Sequence, residues 1–484
     1  MGNQDTERDS SPTAQHSIGV RTGIILAVVI AAAFLDVVDF SIVQVALPTI
    51  QADFRAPLAS VQWVIGIYGL TLAGFLMVSG RAGDVYGQKR IFLAGIVTFT
   101  LASMVGGFAP SLFVLIGSRA VQGVAAAMTG ATAFAILAAT YPEGAKRNKA
   151  IGIVVAVLSG GFAAGSLLGG ILTETFGWRS VMFVNVPVGA LAALLAFRYI
   201  AAAPGRAVEL RLDVPGAITI TTGLILLVYA LTNAASEGFL TLTTAVPLGL
   251  AAVVQAGFIG IERRSGSPLM PLSFVRRGSI AMANVLSVLL TASGGGFLLL
   301  TLFLQERLHL TPLQTGLTVL PPAAMFLVVG GWGASRLVNR VGMRKALILA
   351  ATFITLGSVL LIPISVEAGY LGILPGSTIW ALGASIGFPA LAMAGLSGAK
   401  PGEEGLASGL IQTSQRLGFP LGLAILLTLG SAFDPGLGVV AFRYAFIGSA
   451  ILGALGLAVA VLLGRGSRSQ EASSGEQVLP EVFP

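Results

Sequence analysis

The sequence has 484 residues, 55% of them hydrophobic and only 10% charged; a soluble globular chain carries about 25% charge, so this one lacks the polar surface to cover itself in water. Its formal net charge of +7 falls in short Lys/Arg clusters between apolar stretches, the inside bias of a membrane protein and not a nucleic-acid-binding face. With no cysteine and only His16 and His309, disulfides, thiol chemistry and a histidine-rich metal site are excluded.

Residues 1–21 are polar and of mixed charge, unlike the basic start of a signal peptide, and read as a disordered cytoplasmic tail. A helix needs about 20 predominantly apolar residues to cross the hydrocarbon core. Such stretches follow at 22–47, 61–80, 91–110, 112–138, 149–172 and 181–200, then at 214–234 and 242–261. A further series lies at 280–303, 314–335, 346–365, 370–397, 406–430 and 443–464. The reading is an all-α polytopic membrane protein with about fourteen transmembrane helices. Residues 22–201 form an N-terminal six-helix bundle, 202–277 two inserted helices with flanking cytoplasmic loops, 278–465 a C-terminal six-helix bundle and 466–484 a cytoplasmic tail.

Lys and Arg fix the orientation. One set of loops holds Arg81, Lys89 and Arg90; Lys146, Arg147 and Lys149; and Arg206 and Arg211. The same side holds Arg263, Arg264, Arg276 and Arg277, then Arg336, Arg340, Arg344 and Lys345, then Lys400. Both ends share it, with Arg8, Arg21, Arg465 and Arg468, whereas the opposite loops offer Arg55, Arg179, Arg307 and Arg443. Both termini are therefore expected in the cytoplasm, which requires an even number of crossings. An internal repeat supports two halves: Asp84-Val-Tyr-Gly87-Gln-Lys89-Arg90 recurs as Asn339-Arg-Val-Gly342-Met-Arg344-Lys345. Duplicated bundles around a midplane site are the usual build of secondary transporters.

No nucleotide motor is encoded. None of the five lysines follows a glycine, so no GxxxxGK[ST] phosphate loop exists. Energy must come from an ion gradient or from the substrate's own gradient. Charges inside spans are expensive, roughly 2.5–3.5 kcal/mol for an Asp or Arg at the helix centre, and so mark function. They are Asp36 and Asp39 in the first span, Arg119 in the fourth and Arg416 in the thirteenth. Asp36 and Asp39 share a helical face, and two close carboxylates in low dielectric do not both ionise easily. A carboxyl that holds a proton is what a proton-coupled carrier needs; the alternative is a structural Asp–Arg pair pinning two helices. Arg119 cannot lose its charge and requires an acceptor, which Asp39, Asp36 or carbonyls of the first helix can supply. Arg416 reads as structural or gating.

Several motifs resemble one family. Asp39-Phe-Ser41-Ile-Val-Gln44-Val-Ala46-Leu47-Pro48 resembles the first-helix signature D-x-T-x-x-N-V-A-L-P of the fourteen-span drug:proton antiporters of the major facilitator superfamily. Asp39 is then the family carboxylate and Asp36 an extra acid. Gly80-Arg-Ala-Gly83-Asp84-Val-Tyr-Gly87-Gln-Lys89-Arg90 resembles the superfamily's cytoplasmic gate loop G-x-L-A-D-R-x-G-R-K, with Gly87 making the tight turn. Leu115-Ile-Gly-Ser-Arg119-Ala-Val-Gln122-Gly123 resembles the fourth-span motif L-x-x-x-R-x-x-Q-G, whose Arg is implicated in proton transfer. Gly152, Gly161, Gly165, Gly169 and Gly170 resemble the fifth-span antiporter motif, in which Ser166 replaces the usual proline. Trp178-Arg179 through Phe183, Asn185 and Pro187 matches the passage into the sixth span.

The resemblance implies the major facilitator fold and a proton-driven exporter of drugs or lipophilic metabolites, often cationic since the intramembrane carboxylates suit cations. Asp39, Asp36 and Arg119 would couple the proton, and Gln44, Asn284, Thr291 and Arg416 are candidate substrate contacts between the halves. A plasma-membrane location, monomeric action, and no cofactor, metal or enzymatic activity complete the expectation. A proton-coupled uptake symporter is the rival within transport, favoured somewhat by the absence of proline at Ser166. A polytopic enzyme or sensor would need a catalytic cluster or signalling domain that the sequence does not offer.

Overall fold

The computed structural model describes residues 12–141, 145–201, 213–237, 241–266, 268, 272–275, 277–397, 404–434, 436 and 438–475, and among these it holds helices and no strand. Thirteen helices among the described residues are long and apolar enough to cross a membrane. They are α1 (Val20–Phe54), α2 (Leu58–Tyr86), α3 (Gln88–Gly107), α4 (Leu112–Thr140), α6 (Arg179–Tyr199), α7 (Val214–Ala234) and α8 (Leu242–Arg264). The second series is α9 (Gly278–Glu306), α10 (Pro312–Gly330), α11 (Met343–Leu361), α12 (Gly369–Gly395), α13 (Gly409–Phe433) and α14 (Val439–Leu462). The helix at the place of the remaining expected span is α5, Ala145–Phe176.

Two ends differ from the sequence reading. The first helix begins at Pro12 and not near 22, and the last runs to Gly475, ten residues into the stretch read as a tail. Once a helix is nucleated each further residue adds a hydrogen bond at little cost, so polar flanks continue it. Proline at the first helical position loses no bond. The positions of Arg8, Arg206, Arg211, Arg276 and Lys400, and the side chains of Arg465 and Arg468, lie outside the described residues.

Local chemistry sets the turns. Thr311 opens α10 with a capping box: its Oγ1 accepts from Gln314 N at 3.2 Å while Gln314 Oε1 accepts from Thr311 N at 2.9 Å. Gly87 and Gly342 stand at corresponding turns of the repeat with φ of 96° and 84°, a region open to glycine at no steric cost. Past each turn the second residue behaves alike. Lys89 Nζ donates to Phe197 O in α6 at 2.8 Å, and Arg344 Nη2 donates to Val461 O in α14 at 3.1 Å.

Packing repeats the same duplication. In the first half α1 packs on α5 and α6, α4 on α2 and α3, and α3 on α6; in the second α9 packs on α13 and α14, α12 on α10 and α11, and α11 on α14. The halves meet along two seams, α5 with α10 and α2 with α13. The inserted α7 covers the second seam, touching both α2 and α13, while α8 packs on α7 and is the most exposed of the spans. On that seam Gln62 Nε2 donates to Thr232 Oγ1 at 2.9 Å and Thr428 Oγ1 to Leu231 O at 2.7 Å. Thus α7 is tied to both halves at once. Large apolar side chains such as Phe113, Phe197, Leu242 and Leu371 point outward over the bundle, the surface a hydrocarbon solvent requires.

Candidate functional site

Two acid–base pairs involve the acids of α1, one inside the first half and one across the seam. Asp39 on α1 is ion-paired with Arg119 on α4, and neither side chain is exposed. Asp39 Oδ1 also accepts from Asn185 Nδ2 on α6 at 2.7 Å. Arg119 Nε donates to Val64 O of α2 and Nη1 to Gln122 Oε1, both at 2.9 Å, and Gln122 Nε2 reaches Ser103 Oγ on α3 at 2.7 Å. Burying two charges is tolerated only when each is paired and hydrogen-bonded; four helices supply those partners here, and Ser103 of a fifth holds Gln122. Arg119 Nη2 has no hydrogen-bond partner among the described residues.

Asp36, one turn away, pairs elsewhere. Its Oδ2 accepts from Arg416 Nη2 on α13 at 2.9 Å, and its Oδ1 accepts from the Tyr68 hydroxyl. The two acids therefore do not share a site, although they share a helical face; each has its own arginine. The Asp36–Arg416 pair crosses the seam between the halves. Tyr68 links the pairs, because the guanidinium of Arg119 lies 4.3 Å from its ring centroid, within cation–π range. The result is an unbroken line from Asp39 through Arg119, the Tyr68 ring and hydroxyl, and Asp36 to Arg416.

Arg416 opens onto a cavity of about 410 Å³ between the halves, the size of drug-binding sites. Its wall carries eight aromatic side chains: Phe162 lies 5.4 Å from Phe297, Phe297 5.8 Å from Trp380, and Phe40 5.1 Å from Phe419 between ring centroids. A π-helical stretch of the α10 helix, Phe326–Gly333, contributes Phe326 and Gly330. Such stretches are rare and gather at functional sites. Of the sequence-derived substrate contacts, Gln44, Thr291 and Arg416 line this cavity. Asn284 is not in its wall; its Nδ2 donates to Ile280 O at 2.8 Å and its Oδ1 accepts from Ser414 at 2.7 Å, joining α9 to α13.

The fifth-span glycines are contact points. A Cβ on Gly165 would lie 1.9 Å from Ser41 Oγ and 2.9 Å from Val38 O, and one on Gly169 2.9 Å from Ile42 O, so α1 rests directly on the α5 backbone. Gly161 faces Val37 in the same way, at 3.0 Å. The adjacent stripe faces the other half: a Cβ on Gly170 would lie 2.7 Å from Pro312 O, and one on Gly316 of α10 2.6 Å from Ser166 O. Ser166 keeps its helix regular, its Oγ bonding back to Phe162 O at 2.9 Å. Gly152 belongs to the same helix.

In the gate loop, Asp84 accepts from Gln88 Nε2 at 2.9 Å instead of from a basic residue. Arg90 is exposed, and Gly80 packs against Ala131 of α4, where a Cβ would find ordinary contact at 3.8 Å. Tyr68, Trp380 and the phenylalanines of the cavity carried no motif in the sequence. The one signal for Tyr68 was a phenol inside an apolar span, where a hydroxyl needs a partner.

Residues 29–423 match the Major Facilitator Superfamily. The chain is 37% identical over 464 residues to the cephamycin export protein CmcT of Amycolatopsis lactamdurans, with 94% of both chains covered. It is 34% identical over 394 residues to the multidrug resistance protein Stp of Mycobacterium tuberculosis (strain CDC 1551 / Oshkosh), covering 81% of this chain and 73% of that one. Its fold matches that of a peptide transporter POT in complex with sulfate at a TM-score of 0.67 and 13% identity, covering 91% of this chain and 95% of that one. The order of the helices among the described residues, the duplicated packing and the match over most of the length agree. The chain belongs to the Major Facilitator Superfamily and is a multi-pass membrane transporter of small molecules.

Proposed function

We propose that this chain is a proton-coupled exporter of drugs or other lipophilic small molecules, working by alternating access as a monomer in the plasma membrane with both termini cytoplasmic. The observation that carries this reading is the line of groups from the buried Asp39–Arg119 pair to Arg416 in the cavity wall. The export and resistance named for the relatives favour outward transport over uptake, and the Lys/Arg bias supports the orientation.

The chain's own groups supply a coupling route. A proton on Asp39 removes the charge that holds Arg119, which stays cationic and must turn toward its remaining acceptors. That movement shifts the Tyr68 ring stacked on it, and with it the hydroxyl bound to Asp36. The Asp36–Arg416 pair, which crosses the seam, then weakens and the halves can rock. On the face away from the termini the halves touch: Gln305 Nε2 donates to Val45 O at 2.9 Å and Leu313 N to Glu174 Oε2 at 3.0 Å. Toward the other face the short helix Ala334–Val341 that follows α10 packs on α11 and α12 of its own half. One proton crossing 100 mV releases about 2.3 kcal/mol, and a tenfold gradient adds about 1.4 kcal/mol.

The test is transport in proteoliposomes that hold the purified chain, with the lumen acidic and a panel of lipophilic fluorescent solutes outside. Solute should accumulate in the acidic lumen, and both a protonophore and Asp39→Asn should abolish accumulation. Accumulation that survives the protonophore overturns proton coupling. Accumulation only when the lumen is alkaline makes the chain a symporter.

A further inference from the structure

From the cavity wall we infer that the substrate is an organic anion: an aromatic or fused-ring molecule bearing one acidic group, which Arg416 anchors. This rests on the export reading and deepens it, and it departs from the cationic class that the intramembrane carboxylates suggest.

Charge placement carries the argument. Among the described residues, Arg416 is the one charged side chain in the wall, and it is 37% exposed there. Its counter-ion Asp36 stands behind it at 13% exposure, with one oxygen taken by Arg416 and the other by Tyr68. Asp39 is fully buried behind Arg119. No carboxylate therefore faces the cavity among the described residues, and a cationic ligand meets a guanidinium with no acid to offset it. The pair is a dipole with its positive end toward the ligand.

Arg416 also has capacity to spare. A guanidinium carries five N–H donors in a planar fork suited to carboxylate or another oxyanion. Asp36 takes Nη2, and no other hydrogen bond from this guanidinium is made among the described residues. An acidic group can thus bind the fork while Asp36 holds the guanidinium in place as a positioning residue. The rest of the wall states what the acid must be attached to. Phe162, Phe297 and Trp380 form one continuous aromatic surface and Phe40 and Phe419 another, which suits ring systems stacked edge or face. Gln412 and Gln415 stand near Arg416 in the wall and add no charge to it.

The experiment uses a matched pair of probes, dansylglycine and its neutral amide dansylglycinamide, with ethidium as the cation. Binding to the purified full-length chain is read by energy transfer from tryptophan, Trp380 being in the wall. The native chain should bind the acid at least about tenfold more tightly than the amide, the strength of one charge-assisted bidentate contact. In Arg416→Gln the acid-to-amide ratio should fall to about one, and in Arg416→Lys to an intermediate value. Because Arg416→Gln leaves Asp36 unpaired, the charge-balanced Asp36→Asn/Arg416→Gln chain is the second variant, and its ratio should also be about one. Equal native affinities, tighter binding of ethidium, or a ratio that survives in both variants overturns the inference. Proton-driven transport of the three probes separates the two readings. Movement of ethidium or the amide but not the acid leaves export standing and removes the anion; movement of none removes export itself.

Discussion

At the scale of single residues, each intramembrane charge is held by a partner on another helix, and this decides what mutations do. Removing one member of a fully buried ion pair leaves an uncompensated charge and costs about 3–5 kcal/mol. Asp39→Asn and Arg119→Gln are each expected to lower the melting temperature in detergent, whereas the double variant should recover most of it. Proton-driven transport should be lost in all three. A double variant no more stable than the singles would mean that the pair is not coupled as the geometry has it. Tyr68 gives a finer cut, since it stacks on Arg119 and bonds Asp36. Tyr68→Phe keeps the stack and removes one hydrogen bond to a charged group, worth about 1.5–3 kcal/mol. Transport should fall and its dependence on external pH should change while the fold persists, read by transport rate against pH beside a thermal melt. An unchanged pH profile would take Tyr68 out of the coupling line.

Between elements, close approach of backbones is what the glycines provide. In lipid, helices gain little from hydrophobic exclusion, so they associate through tight packing over small residues. Gly165 and Gly169 serve the α1–α5 contact and Gly170 the α5–α10 seam, each with a neighbouring main-chain atom inside 3.0 Å of an added Cβ. Gly165→Val and Gly170→Val should therefore differ in kind. The first opens the N-terminal half and is expected to cost at least about 1–3 kcal/mol, the range of overpacking, as a drop in melting temperature. The second acts only between the halves and should slow or stop transport with a smaller loss of stability. Similar melting losses and similar transport for both would deny that α5 carries two distinct faces.

For the whole molecule, alternating access requires the α5–α10 seam to part at the face away from the termini. There Glu174 of α5 meets the first turn of α10. The chain has no cysteine, so an engineered pair is the only thiol pair present. Glu174→Cys with Leu313→Cys, treated with a short bifunctional methanethiosulfonate reagent, should stop transport, and reductant should restore it. Each single variant should be unaffected by the same reagent. Transport at the native rate in the linked protein would show that this end of the seam stays shut through the cycle. The inserted α7 sets a second condition, being bonded to both α2 and α13: it must bend, slide or follow one half when the seam beneath it moves.

The sequence by itself determined the class of protein and the order of its membrane helices, thirteen of which stand among the described residues where apolar stretches were expected. Those follow from local rules: apolar length, the placement of Lys and Arg, and turn residues such as Gly87 and Gly342, whose positive φ the repeat anticipates. It also singled out Asp36, Asp39, Arg119 and Arg416, because charge in hydrocarbon is costly wherever it occurs. Only the tertiary structure decided who pairs with whom. Spacing places Asp36 and Asp39 on one helical face, yet α4 and α13 bring a separate arginine to each. Nor could periodicity show that Tyr68 joins the two pairs, that Asn284 packs between helices, or that aromatic rings from α1, α5, α9, α12 and α13 meet around one cavity. In a bundle whose helices are apolar on nearly every side, the pattern that marks an inward face in water is missing. The inward face is then set by packing between distant segments, which no local rule encodes.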